Sequence, residues 1–318
     1  MDSATASLLD DYAALKAEAA AHSAQGWSPS PVEGWKDEFQ VTADSLAEFR
    51  CHSISGGTIN FPDRPATRSA MPQPEFFAPR TPAQIARGHL TVWRRCMQLI
   101  SALPKGHLGL YRRLAQDDGA HGAQRWMVPG IGLVTEASIR YAYYAAALSE
   151  KLGKGQPIFE IGAGFGGLAQ RLVPLLDPHR YIITDLPLNM LLAYTNLSGR
   201  FPGEVGRIWL STDRLGPARI QIVAPWRLTG LGLTADTAIN TVSFQHMSMR
   251  NLEFYGDAMA ALGVRQLYHV NRDVKRDPTD VPCSSYPFRD RFEVALSREF
   301  PFVGRNVREE LMVARQPT

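Results

Sequence analysis

The segment Ile158-Phe-Glu-Ile-Gly-Ala-Gly-Phe-Gly-Gly-Leu168 constrains this chain more than any other. A short apolar run enters a cluster of glycines, and a helix-forming stretch (Gly167 to Leu176) leaves it. Strand, glycine turn and helix in that order give a Gly-rich pattern its meaning. Glycines let the backbone turn tightly and approach a ligand, while N–H groups at the helix start face that ligand.

Two cofactors fit this loop. Gly162, Gly164 and Gly167 satisfy G-x-G-x-x-G, the dinucleotide pattern. Glu160, Gly162, Gly164 and Gly166 satisfy the acid-x-G-x-G-x-G pattern of S-adenosylmethionine (SAM) enzymes. Glu160 favours the second reading. A carboxylate at the strand end attracts the cationic methionine end of SAM and repels a pyrophosphate. Asp185 lies 23 residues beyond Gly162, at the end of the next predicted strand, where a carboxylate accepts both ribose hydroxyls of either cofactor.

The surrounding pattern predicts an α/β fold. Strands are expected at Pro157 to Ile161, Tyr181 to Asp185, Ile220 to Val223, Thr237 to Phe244 and Val264 to Val270, with late strands at Phe292 to Leu296 and Glu310 to Ala314. Helices are expected between them, at Gly167 to Leu176, Leu188 to Leu197 and residues 251–262. This alternation calls for right-handed crossovers and a doubly wound, mainly parallel sheet. The front half reads differently. Helices are expected at residues 3–22, 82–102 and 134–152, the middle one opened by Thr81-Pro82. Six prolines between residues 62 and 82 predict a long irregular loop.

Composition excludes several classes. With 318 residues, 45% hydrophobic, the chain has enough apolar material for a packed core. Its net charge of +3 comes from 34 basic and 31 acidic residues without a basic tract, which argues against a nucleic-acid partner. Cys51, Cys96 and Cys283 are too far apart for a metal knuckle and odd in number, so no disulfide framework is expected. The acidic start (Asp2, Asp10, Asp11) does not read as a signal peptide, and no apolar run reaches membrane-span length. The expectation is a soluble, cytoplasmic protein. Its oligomeric state stays open, a homo-oligomer included.

Motif by motif, the chain resembles the sugar O-methyltransferase family of class I SAM-dependent methyltransferases. The likeness rests on Glu160-Ile-Gly-Ala-Gly-Phe-Gly-Gly-Leu-Ala169, Tyr181-Ile-Ile-Thr-Asp-Leu-Pro187 and Asn240-Thr-Val-Ser-Phe-Gln-His-Met247. It spans residues 130–303, with weaker echoes at 35–50. The resemblance implies a Rossmann-like, seven-stranded sheet with an N-terminal helical region. Residues 1–152 would form a helical, Pro-rich cap that binds substrate, and 153–318 the SAM-binding catalytic domain.

The same likeness implies cofactor contacts from Glu160, Gly162, Ala163, Gly164 and Gly166, from Asp185 and Leu186, and from Ser243, Phe244 and Gln245. Arg140 would reach the SAM carboxylate or form a surface ion pair. Where the family carries Glu, this chain has His246. An imidazole with an ordinary pKa near ~6.5 suits a general base at neutral pH; the alternative is a His that caps or packs. Asp273, ending the fifth strand, would help at the substrate, and no metal is expected. Tyr141 and Tyr144 wall the cofactor or pack, and Trp226 stacks on adenine or serves an interface.

The expected reaction is SN2 methyl transfer to a hydroxyl of a small acceptor, a sugar-containing metabolite. The alternatives are a phenol, carboxylate or amine acceptor, an NAD(P)-dependent oxidoreductase, and a non-catalytic SAM-fold subunit.

Overall fold

The computed structural model describes residues 3–22, 41–47, 49–51, 81–123, 125–275, 280–300 and 306–315. Most of the expected Pro-rich loop at 52–82 lies outside them.

The front half carries α1 (Ser3–His22), α2 (Ala43–Ala47), α3 (Pro82–Ser101), α4 (Leu108–Ala115) and α5 (Glu136–Ser149). Between α4 and α5 sits a hairpin, β1 (Trp126–Val128) and β2 (Gly132–Val134), that the pattern reading missed. Its turn, Val128-Pro-Gly-Ile131, has Gly130 at φ +75° and an Ile131 N–H that donates to Val128 O at 3.0 Å. Pro then Gly at the two central positions is the signature of such a turn, so this hairpin was legible. Thr135 caps α5: its hydroxyl accepts from Ser138 N–H, and the Ser138 hydroxyl accepts from Thr135 N–H.

The back half alternates as expected: β3 (Ile158–Ile161), α6 (Ala169–Leu176), β4 (Tyr181–Thr184), α7 (Pro187–Arg200), β5 (Val205–Ile208), β6 (Ile220–Val223), β7 (Thr237–Thr241), α8 (Met249–Ala261), β8 (Gln266–Arg272), β9 (Phe292–Glu299) and β10 (Val307–Ala314). The sheet order is β5-β6-β4-β3-β7-β8-β10-β9. It has eight strands, not the seven expected. The addition is β5, four residues paired parallel to β6 at one edge. So short a segment, interrupted by Gly206, carries too little alternation to be recognised. Strands β3, β7 and β8 are buried along nearly their whole length, as a parallel sheet covered on both faces requires.

The far edge departs from an all-parallel sheet. β10 runs antiparallel between β8 and β9. Its neighbouring Glu309 and Glu310 are both buried, and strand alternation sends them to opposite faces. Glu309 accepts from Tyr143 of α5, from Tyr268 of β8 and from the Arg298 guanidinium of β9 (2.7, 3.1 and 2.9 Å). Glu310 accepts from Arg289 and Ser297 at 2.6 and 2.8 Å. Burial works against the Glu310 charge, but the facing His269 and Arg289 hold its carboxyl down at about 2.

One apolar cluster joins Leu15, Phe49, Val92 and Tyr111 of the front half to Phe165, Leu172 and Ile183 of the back half. Removing a buried acceptor leaves the buried hydroxyls that donate to it, here those of Tyr143 and Tyr268, short of a partner, at a cost of about 1–3 kcal/mol. Glu309→Ala should destabilise the protein by that order in urea unfolding. A loss below about 1 kcal/mol would mean that the carboxylate does not hold β10 in the sheet.

Candidate functional site

The site forms where the carboxyl ends of β3, β4, β7 and β8 meet, the edge at which open α/β sheets bind ligands. The glycine loop begins with Gly162 at φ +74°, and a Cβ there would lie 1.9 Å from Ser243 Oγ. Only glycine allows the turn after β7 to come this close. Gly164, at φ +59°, has nothing nearer to such a Cβ than Tyr141 Oη at 4.0 Å. Its backbone therefore faces a space that none of the described residues fills. Gly167 is pressed against the Tyr141 ring, so Tyr141 packs on the loop. Ala163 is buried.

The loop amides are used internally. Gly162 N–H donates to Thr184 O and Gly166 N–H to Ala163 O. Gly164 N–H donates to the Asp185 carboxylate at 2.7 Å. The second Asp185 oxygen accepts from Leu186 N–H and from the Asn189 amide, each at 2.7 Å. Asp185 is thereby fixed at the lip of the loop, with Leu186 half-buried beside it. Thr184, one residue earlier, has a buried hydroxyl with no hydrogen-bond partner among the described residues.

Glu160 lies beneath the loop, 1% exposed, and accepts from the Tyr181 hydroxyl at 2.7 Å. Burial pushes its carboxyl up to about 8; the Tyr181 hydrogen bond opposes the rise and the Asp185 charge adds to it. In the ligand-free protein burial thus favours the neutral form of Glu160.

Past β7 the chain strains to form the second wall. Val242 has φ +64°, a conformation that is an outlier for a β-branched residue and typical of functional turns. Asn240 anchors the turn: its amide donates to Ile161 O and to Ser243 Oγ, and its oxygen accepts from Phe244 N–H and the Asn271 amide. Asn271 in turn accepts from Gln245 N–H. Gln245 accepts from Arg272 N–H with its oxygen, so its NH2 group faces His246 Nε2 at 3.0 Å. His246 Nε2 is therefore the acceptor and the ring proton sits on Nδ1. Phe244 is buried against Tyr286 and Phe288.

Arg140 stands on α5 one turn after the cap, next to Tyr141. Burial opposes its charge, but Tyr144, Glu136 and Tyr141 raise its pKa on balance. Asp273, named from its place after β8, is engaged by its own chain: one oxygen accepts from Ser284 N–H at 2.9 Å and the other from Arg308 at 2.8 Å. Its place is a brace between β8 and β10. Trp226 stacks on His22 of α1, rings 5.3 Å apart and 12° from parallel, which makes it an interface residue on that face. Among the described residues no cluster of His, Cys, Asp and Glu could hold a metal, and no helix is long and apolar enough to cross a membrane.

Sequence reasoning named the loop, Asp185 and the Ser243–His246 turn. It missed the anchors Asn240 and Asn271, although both end strands at the ligand-binding edge, where a buried amide is a signal.

No protein-family model matches the sequence, and no curated protein matches it. Solved structures do resemble the fold. The pyocyanin biosynthetic protein PhzM aligns at 14% identity and a TM-score of 0.41, over 72% of this chain and 70% of its own. Magnesium protoporphyrin IX methyltransferase (ChlM) from Synechocystis PCC 6803, with bound SAH, aligns at 14% identity and 0.39, over 55% and 82%. A fibrillarin from Methanococcus jannaschii aligns at 11% and 0.36, over 51% and 67%.

The two loop glycines predict different costs. Gly162→Ala forces a clash as well as a left-handed backbone. Gly164→Ala meets only the backbone cost of about 1–2 kcal/mol. Urea unfolding should show the first variant clearly less stable than the second; equal losses would mean that Gly162 and Ser243 are not in contact.

Proposed function

We propose that this protein is a SAM-dependent methyltransferase that acts on a hydroxyl of a small, sugar-containing acceptor. The observation that carries the cofactor reading is the pair of acids at the loop: the Asp185 carboxylate takes the Gly164 N–H, and the buried Glu160 lies beneath, where a bound cation would favour its ionised form. A pyrophosphate needs free amides and no acids at that place. A sulfonium and an ammonium need the reverse. The sheet supports this reading, since dinucleotide-binding sheets run 3-2-1-4-5-6 in parallel, whereas here antiparallel β10 follows β8.

The residues present fit the group. Among the described residues none fills the space beside Gly164, a buried Thr184 hydroxyl ends the neighbouring strand without a partner, and Asp185 stands at the lip of the loop, where a carboxylate can accept from ribose hydroxyls. Arg140 suits the amino-acid carboxylate, with Leu186 against the nucleoside and the Ser243-Phe244-Gln245 turn closing the other wall. When bound, SAM supplies a methyl group already activated as an electrophile. The chain's own task is then to hold the acceptor oxygen in line with it and to take its proton, and orientation is the larger contribution.

His246 is the candidate for that proton. Its Nε2 is the basic nitrogen, and Gln245 holds the ring by donating to it. Proton transfer requires the acceptor hydroxyl to replace the Gln245 amide at Nε2. The sugar specificity rests on the motif resemblance alone, with phenol, carboxylate or amine acceptors as the second reading. The cytoplasmic location and any homo-oligomer are likewise part of this proposal.

Calorimetry with S-adenosylhomocysteine tests the cofactor. Micromolar binding is expected; binding of NAD in its place would overturn the reading. The pH dependence follows from Glu160. Its raised pKa means that the free protein holds the proton below about 8, and a cationic ligand must release it. Affinity should rise from pH 6 toward 8, by up to about tenfold per unit, and level off above. Glu160→Gln should flatten that profile. For catalysis, His246→Ala should keep S-adenosylhomocysteine binding and lower turnover by about 10²–10⁴-fold; unchanged turnover would assign His246 to packing.

A further inference from the structure

At the centre of the glycine loop is a large side chain, Phe165, only 2% exposed. Its ring is enclosed by three side chains from two segments of the front half. The Arg50 guanidinium lies over it at 4.9 Å, Phe49 packs at 6.0 Å and Tyr141 of α5 meets it edge-on at 5.9 Å. Arg50 is itself held. It donates through two nitrogens to the Asp117 carboxylate at 3.1 and 2.6 Å, and to Ala120 O at 3.2 Å. The pair is buried, with side chains 6% and 5% exposed.

Asp117 has two more donors, Gly119 N–H at 2.9 Å and the Thr135 hydroxyl at 3.1 Å. Thr135 is the cap of α5, the helix that carries Arg140 and Tyr141. One carboxylate thus ties a front segment to the start of the helix that presses on Gly167. A second arginine, Arg171 of α6, spans the remaining gap: it donates to Leu114 O at 2.8 Å and to Gly167 O at 2.7 Å.

We propose that the Arg50–Asp117 pair is the positioning device of the cofactor loop, holding Phe165 and the α5 cap in register so that Gly164 and Asp185 present one fixed surface to the ligand. This rests on the cofactor reading above. The chemistry favours such a role. A bidentate guanidinium–carboxylate pair fixes direction as well as distance, and the same guanidinium face is placed to stack on an aromatic ring. Glycine-rich loops, by contrast, have little conformational preference of their own. Arg50 and Asp117 touch none of the reacting atoms, so both are positioning residues.

The test compares three variants with the wild type. Arg50→Lys keeps the charge and loses the fork. Phe165→Leu keeps the loop apolar and loses the ring face. Leu262→Ala, at the opposite end of the strands, lowers stability without touching the loop and controls for a general loss of stability. Hydrogen exchange of the 160–170 amides in the ligand-free protein is the first readout, and S-adenosylhomocysteine affinity by calorimetry the second. We expect the first two variants to exchange these amides at least tenfold faster and to bind about tenfold more weakly, and Leu262→Ala to do neither. Loop exchange and affinity equal to wild type in Arg50→Lys and Phe165→Leu would overturn the proposal, as would the same changes in Leu262→Ala. If the wild type fails to bind S-adenosylhomocysteine, the cofactor reading fails, and the exchange data still decide whether Arg50 orders the loop.

Discussion

The backbone of Gly162 and the side chain of Ser243 share a space that no Cβ could enter. That approach brings the end of β3 against the turn after β7, and much of the site depends on it. It puts Asn240 where its amide reaches both Ile161 O and Ser243 Oγ. From Asn240 the bonds pass to Asn271, to Gln245 and to the ring of His246. Buried amides of this kind are costly unless every donor and acceptor is used, so the chain of bonds specifies one geometry. The left-handed Val242 is the strain that accompanies it.

Electrostatics give this geometry its direction. A glycine loop before a helix is by itself a place for an anion. Here the Asp185 carboxylate takes the Gly164 amide, and Glu160 lies beneath, buried, its neutral form favoured until a cation binds. On the proposed reading the loop is thereby inverted into a place for a cation. The far edge of the sheet solves a related problem. Two adjacent glutamates of β10 face opposite layers, and each meets an arginine from a neighbouring segment. Buried carboxylates thus recur at the loop and at the edge strand, and in both places their partners come from elsewhere in the chain.

Much of this was legible locally. Strand Ile220–Val223 matches its expectation, and β3, β4, β7 and β8 lie within a few residues of theirs, because buried parallel strands read as continuous apolar runs. The hairpin at Val128-Pro-Gly-Ile131 carried its own turn signal and was overlooked. Strand β5 carried almost none. Arg50, Asp117 and Glu309 were not legible at all. A charged residue in a sequence reads as solvated, and only its partner, 67 residues away for Arg50 and Asp117, shows that it is buried.

By itself the sequence determined the elements and the loop. Spacing of apolar residues, glycines that alone tolerate the required backbone angles, and an acid at the end of each of two strands are local properties, and local properties survive without a fold. The tertiary structure decided which groups meet: that Asp185 closes on Gly164, that Gln245 sets the His246 tautomer, that Asp273 braces a strand, and that the front half reaches Phe165. These are contacts between distant segments. Their chemistry depends on burial and distance, which the order of residues does not contain.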